Sequence, residues 1–281
     1  MKSRITGGDT SYLFSKDILN KYEVKYFRSN TTGFIQTEEP YWLPEAYSSA
    51  ITKLDLGLPS RNITLADRIS KLLITKFDYS RTFLDYAGGY GLFTRLMRDK
   101  GFNFYHTDKY CQNLFAEYFD LVDLPPDTNF ELVTAFEVLE HLSNPIEEIN
   151  VISGYSDNVI FTTELQPKKL NDIRRWSYIA PETGQHIAFY NMESLAYIAK
   201  KLSYNFYTDG EFLHLFSKQV FDNKILKPVR DNFLLRKAKK FVKKTEEEKY
   251  GKMDSLLMKD WQYVKEKLNK VETQYFASKE G

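Results

Sequence analysis

The stretch Phe83-Leu84-Asp85-Tyr86-Ala87-Gly88-Gly89-Tyr90-Gly91, with Asp108 just beyond the next apolar run, carries the densest chemical signal in the chain. Glycines placed between an acidic residue and a helix-period pattern let the backbone turn sharply and approach a ligand closely. An acidic side chain past the following strand can accept hydrogen bonds from both hydroxyls of a ribose. The spacing therefore suits a cofactor carrying a ribose. A glycine loop also serves as a plain structural turn. A nicotinamide site expects Gly-x-Gly-x-x-Gly, which Gly89 and Gly91 followed by Thr94 do not complete.

Four histidines are available for proton chemistry: His106, His141, His186 and His214. His106 falls inside a strand pattern and His214 inside a hairpin pattern, where packed roles are expected. His141 and His186 follow strand ends, in the loops that converge on the ligand edge of an open parallel sheet. Imidazole titrates near neutrality, so His186 beside Gln185 is the first candidate for removing or binding an acceptor proton, with His141 in reserve. A structural turn role for His186 stays open. Glu140 could orient a histidine or cap the next helix. Arg174 and Arg175 could grip a carboxylate or phosphate on an acceptor by bidentate bonds, or form a solvated pair.

These residues need elements to hold them. Ile69, Leu72, Leu73 and Phe77 recur at helical spacing within Ile63 to Phe77. A strand is expected at Thr82 to Asp85, a tight loop at Ala87 to Gly91 and a helix at Leu92 to Lys100. Further strands follow at Asn103 to Thr107, Leu132 to Phe136 and Val159 to Thr163, with helices at Asn113 to Phe119 and Pro145 to Ile152. Strands alternating with helices imply a parallel sheet covered on both faces. After a helix at Met192 to Leu202, Asp209-Gly210 between two aromatic-rich runs signals a hairpin, so the sheet should end antiparallel. The fold class is thus α/β, Rossmann-like and mostly parallel with an antiparallel terminal hairpin. Residues 1–61 read as an irregular cap with a short helix near Glu45 to Leu54, residues 62–218 as the cofactor domain, and residues 219–281 as a basic helical extension. In that extension Phe233, Leu234, Phe241 and Val242 form one apolar stripe, and Leu256, Leu257, Trp261, Val264 and Leu268 a second.

The glycine loop and Asp108 resemble the S-adenosylmethionine (SAM) signature of class I methyltransferases. With Phe136-Glu137-Val138-Leu139-Glu140-His141-Leu142 and Gly184-Gln185-His186-Ile187-Ala188-Phe189-Tyr190, the stretch from Asn62 to Lys218 resembles the group that includes ubiquinone and sugar methyltransferases. The resemblance implies that Asp85 orients the methionine amine of SAM and that Ala87, standing at a glycine position of the family, joins Gly88, Gly89 and Gly91 in the cradle. It implies ribose binding by Asp108, adenine contact by Lys109 and Tyr110, and a methionine-side wall of Phe136 and Glu137. The segment after the Val159 strand forms the acceptor lid in proteins of this kind, which puts Arg174, Arg175, Trp176, Tyr178 and Gln185 forward as acceptor-binding residues. The implied reaction is SAM-dependent O-methylation of a sugar hydroxyl in surface polysaccharide or glycoconjugate biosynthesis, an acidic sugar if the Arg pair contacts it. C- or N-methylation of a deoxysugar or small metabolite is less favoured. A non-catalytic SAM-binding subunit or glycan-binding module is the alternative of another class.

Composition narrows the remainder. The chain has 281 residues, a net charge of +1 and one cysteine, Cys111. No whole-molecule field draws in nucleic acid, and no internal disulfide or multi-cysteine zinc site can form. The segment Tyr26 to Asn62 resembles the front part of some relatives, where a cysteine pair precedes Gly-Phe; Ser29 and Thr32 stand at those positions, and hydroxyls are poor zinc ligands, so no metal site is expected. No signal-like or membrane-length apolar run occurs, and a cytoplasmic location is expected. The basic stripe Arg236 to Lys244 could dock the chain on an anionic membrane surface or a partner protein.

Overall fold

The computed structural model describes residues 1–48, 51–52, 54–227 and 254–277. The chain begins with β1 (Thr10–Ile18), β2 (Tyr22–Ser29) and β3 (Ile35–Thr37), which pair antiparallel with β8 (Ala188–Phe189) in the order β1-β2-β3-β8. In β2, Val24 and Tyr26 are buried while Glu23 and Lys25 are exposed, the period-2 alternation of a half-buried strand. The β1–β2 turn places Leu19 and Asn20 at positive φ, 56° and 53°. Residues 1–61 therefore contain a three-stranded antiparallel unit and are not irregular throughout. Their helix is the single turn α1 (Leu43–Ala46), with Pro44 in its first turn, and it does not run on to Leu54. The strands escape a reading that weights prolines and scattered aromatics above alternation.

The main sheet runs β5 (Asn103–Thr107), β4 (Thr82–Tyr86), β6 (Leu132–Phe136), β7 (Asn158–Thr162), β10 (Leu213–Ser217), β9 (Asn205–Thr208). β4, β5, β6 and β7 pair in parallel, and β10 runs antiparallel to both β7 and β9. Alternation sorts its side chains into two cores. Leu84, Val133, Val159 and Phe161 face α4 (Pro145–Ser153) and α6 (Met192–Lys201), whereas Phe83, Leu132 and Ile160 face α2 (Leu58–Lys76) and α3 (Leu92–Asp99). Burying one such side chain contributes about 1.5–3 kcal/mol, so a one-residue slip of any central strand would be costly. A third cluster packs Trp42, Trp176 and Ile179 against the first sheet, next to α5 (Leu170–Ile173).

Two further differences from the sequence reading have local causes. Residues 113–119 form turns and no helix: Asn113 Oδ1 accepts from Ala116 N–H (2.9 Å), Leu114 N–H donates to Tyr90 O (3.0 Å), and Tyr118 takes φ 70°. Side-chain bonds of Asn to nearby backbone compete with helix formation. In α7 (Leu257–Ala277) the expected apolar stripe is not buried, since Leu257 and Trp261 are each more than half exposed. An ion pair attaches this helix instead. Asp260 accepts from Arg98 Nε and Nη2, both at 2.8 Å, and the guanidinium lies 3.7 Å over the Phe119 ring. Residues 228–253, which include Phe233, Leu234, Phe241, Val242 and the basic stripe Arg236 to Lys244, lie outside the described residues, as does the Leu268 side chain. No helix among the described residues is long and apolar enough to cross a membrane.

Two variants test these local accounts. Asp260→Ala is expected to weaken docking of α7 by about 3 kcal/mol, the lower end for breaking a buried pair, because Arg98 keeps its bonds to Asn103 and Phe104. Amide exchange should quicken in α7 and stay unchanged in β4 to β7; equal exchange in both proteins would show that the pair does not hold the helix. Ala87 has φ 53°, a left-handed conformation costing a residue with a Cβ about 1–2 kcal/mol. Ala87→Gly relieves that strain against an entropic cost of about 0.5–1 kcal/mol, so the urea midpoint should rise by up to about 1 kcal/mol of stability. A fall in the midpoint would mean the strain is illusory.

Candidate active site

Beyond Tyr86 the chain leaves β4 through five tight residues, Ala87 to Gly91. A Cβ on Gly88 would lie 2.4 Å from Asp85 Oδ2 and 2.8 Å from a His106 ring carbon, so only glycine fits there. Gly91, at φ 80°, would carry its Cβ into Asn113 Oδ1. The loop is pinned from β5: Gly89 N–H donates to Asp108 Oδ2 (2.9 Å), and His106 bridges Gly89 O (3.0 Å) and Asp120 (2.9 Å). Asp108 Oδ1 also accepts the amides of Tyr110 and Cys111, both at 2.7 Å. The carboxylate expected to hold a ribose thus first shapes its own loop, three of its about four lone-pair sites taking backbone amides and one, on Oδ2, staying for a ligand. Asp85 is buried and accepts from Thr134 (2.7 Å) and Thr94 (3.1 Å). Burial raises its pKa to about 6 against those two bonds and the nearby His106.

The opposite wall begins where β6 ends. Glu137 adopts φ 54°, a left-handed bend held by a paired contact: its N–H donates to Thr162 Oγ1, and Thr162 O–H donates to its Oε1, both at 2.8 Å. Glu140, fully buried, accepts the Tyr178 O–H at 2.6 Å. Burial lifts both carboxyls to about 7, and Arg61 opposes the rise in each. The His141 and His186 rings meet edge-to-face with centroids 4.9 Å apart. Nδ1 of His186 donates to Tyr178 O (2.5 Å), which leaves the lone pair on Nε2. His141 Nδ1 lies 3.1 Å from both Gln185 O and Tyr47 Oη. Burial lowers the pKa of both imidazoles, that of His141 to about 3, so both are neutral at pH 7.

One cleft of about 1190 Å³ joins the two walls. Asp85, Ala87, Gly88, Gly89, Asp108, Lys109 and Tyr110 line its loop side. Phe136, Glu137, His141, Tyr178, Gln185 and His186 line the other. Gly91 shapes the loop from behind. Trp176 is buried and donates from Nε1 to Glu164 (2.9 Å), supporting the wall without being among its lining residues. Arg174 and Arg175 are exposed and outside the cleft, and Arg174 O accepts from Lys16 at the surface. Sequence reading missed Tyr47, whose ring stacks on Tyr110 at 5.4 Å, and Arg61, which α2 brings to the cleft and Asp55 holds by two bonds. Both come from segments with no fixed spacing to the glycine loop. The order Glu137-x-x-Glu140-His141 was visible, but the pairing of His141 with His186 needed the fold.

A family model described as a methyltransferase domain matches residues 60–209, more than half of the chain. No curated protein sequence matches significantly. Among solved structures, the chain is similar to an O-methyltransferase family 2 protein from Planctomyces limnophilus in complex with apigenin, at 15% identity and TM-score 0.43, over 64% of this chain and 62% of that one. It is similar to an O-methyltransferase family protein from Burkholderia thailandensis at 10% identity and TM-score 0.41, over 64% of each chain. A third is a methyltransferase of calicheamicin biosynthesis in its S-adenosylhomocysteine-bound form, at 12% identity and TM-score 0.43, over 64% of this chain and 60% of that one. The chain therefore spans less than two thirds of the length of each. With identities this low the assignment rests on the family match together with the glycine loop and Asp108 on one wall of the cleft, and on those grounds the chain belongs to the methyltransferase domain family.

Proposed function

We propose that this protein transfers the methyl group of SAM to a hydroxyl of a small-molecule or glycan acceptor, a sugar hydroxyl being the acceptor its aromatic and hydrogen-bonding wall suits best. The observation that carries the reading is the single cleft, with a ribose-type acid and glycine loop on one wall and two facing imidazoles on the other. Its volume of about 1190 Å³ exceeds the roughly 300–1,000 Å³ of a usual small-ligand site, leaving room for cofactor and acceptor together. Arg174 and Arg175 lie outside it, so nothing there favours an acidic sugar over a neutral one.

The donor set fits the cofactor. Asp108 keeps a lone-pair site on Oδ2 for a ribose hydroxyl, and Tyr110, propped by Tyr47, offers a ring face to the adenine with Lys109 beside it. Arg61 is placed for the methionine carboxylate, and Asp85 for the amine. When bound, SAM supplies an electrophilic methyl group on a sulfonium centre. The chain's own task is then to hold an acceptor oxygen in line in a water-poor space. His186 presents Nε2 to that hydroxyl to remove or bind its proton, His141 stands behind it, and Tyr178 and Gln185 frame the acceptor. Docking of the basic segment Arg236 to Lys244 on a membrane surface or a partner remains part of the proposal only as a charge pattern.

Calorimetry should show S-adenosylhomocysteine binding and no comparable NAD binding. Asp108→Ala should weaken it by about 1.5–3 kcal/mol, one hydrogen bond to a charged group; equal affinity with an intact fold would sink the ribose assignment. Asp85 must be ionised to pair with the amine, and its pKa of about 6 makes affinity for SAM fall as pH drops through 6. Asp85→Asn should flatten that dependence, whereas an unchanged profile would assign it to another group. Single-turnover methyl transfer to a glycan panel should slow about 10²–10⁴-fold in His186→Ala. A wild-type rate would remove His186 from the site, and SAM binding without transfer to any acceptor would favour a non-catalytic subunit.

A further inference from the structure

Glu140 is a buried carboxylate only half satisfied. Oε1 accepts from Tyr178, while Oε2, in a residue with no exposed surface, has no hydrogen-bond partner of good geometry, the Thr163 hydroxyl and the residue's own amide giving the carboxyl only weaker support. Leaving a buried carboxyl oxygen so is expensive unless something completes it. A carboxylate oxygen of Glu140 and one ring nitrogen each of His141 and His186 lie within 4.8 Å of one another. Both imidazoles have Nδ1 on a backbone carbonyl, Tyr178 O for His186 and Gln185 O for His141. Carbonyls only accept, so Nδ1 carries the hydrogen and Nε2 keeps the lone pair in each ring. Metal-binding histidines are held in this manner, the far N–H fixed on a carbonyl and the near nitrogen free to ligate.

We propose that Glu140, His141 and His186 form a divalent-cation site, completed by Nε2 of the two imidazoles and a carboxylate oxygen of Glu140, with its remaining positions open to the cleft. Two neutral nitrogens and one carboxylate suit Zn²⁺, Mn²⁺, Fe²⁺ or Co²⁺ better than the all-oxygen preference of Ca²⁺ or Mg²⁺. Bonds of about 2.0–2.2 Å require ligand atoms roughly 4 Å apart or less, which small side-chain rotations reach from 4.8 Å. The cation also supplies positive charge beside Glu137 and Glu140, against which Arg61 is set.

The inference rests on the proposed acceptor position and deepens it. A hydroxyl bound to the cation becomes more acidic. Its proton leaves to water while the oxygen forms its bond to the methyl carbon; the carbon–sulfur bond breaks and sulfur keeps the pair. In that state the imidazoles are ligands and not bases. The sequence expectation of no metal concerned the Ser29 and Thr32 positions, where hydroxyls stand in place of cysteines, and not this cluster.

The test uses the full chain, stripped with a chelator and titrated with Co²⁺ alone, read by visible absorption and calorimetry, with S-adenosylhomocysteine binding measured in parallel. One Co²⁺ per chain is expected, with bands of nitrogen ligation, weakened at least about 10-fold in Glu140→Gln and in His186→Ala. Glu140→Gln keeps the volume and the Tyr178 bond, so it guards against loss of fold. Wild-type protein that binds S-adenosylhomocysteine but neither Co²⁺, Zn²⁺ nor Mn²⁺ overturns the cation site and spares the cofactor reading. Equal Co²⁺ affinity in wild type and both variants also overturns it. Co²⁺ bound as expected without S-adenosylhomocysteine binding supports the site and overturns the cofactor reading instead.

Discussion

The Ile187 N–H donates to the Glu140 carbonyl at 2.8 Å, and this backbone bond stitches the loop after β6 to the segment that becomes β8. Its net contribution to stability is about 1 kcal/mol, no more than any other. Its importance lies in register. With Glu140 and Ile187 opposed, their neighbours His141 and His186 must face each other, and Tyr178 can reach the Glu140 carboxylate. Tyr190, three residues on, closes the same junction by donating from its hydroxyl to Leu139 O (2.9 Å). A shift of one residue in this pairing would carry His186 away from His141 and separate the pair.

The two walls of the cleft arise from different physics. On the cofactor side, glycine φ angles, the Asp108 amide bonds and the His106 bridge are short-range in sequence and shape a rigid loop. On the acceptor side, Trp42 Nε1 donates to Gly184 O (2.8 Å), Gln185 Nε2 donates to Ala46 O (2.9 Å), and β3 pairs with β8. Those contacts join distant parts of the chain. They also remove water, and burial then pushes the carboxyls up and the imidazoles down, toward the neutral forms.

What could be read from sequence follows the same division. The strands of the main sheet and their succession along the chain, though not their order across the sheet, were legible because each is a short apolar run bounded by turn residues, and Asp209-Gly210 announced the hairpin. The glycine loop and Asp108 were legible because their spacing is fixed by one strand, one helix and the next strand. Residues 113–119 were not, since Asn113 and Tyr90 bond the backbone in ways periodicity ignores. Tyr47, Arg61 and the half-satisfied state of Glu140 were not either. Each depends on which remote segment arrives opposite, and no local pattern encodes that.

The β3–β8 pairing has a consequence for how such a chain can change over generations. The glycine loop and Asp108 lie within residues 83–111, whereas the wall that carries His186 is braced by a sheet whose other strands lie in residues 10–37. Mutations that reshape β1 to β3 would shift that wall while the glycine loop and Asp108 go untouched. Under the proposed function, inheritance could therefore keep one chemistry and explore many partners for it, with the first strands of the chain acting as the variable mould.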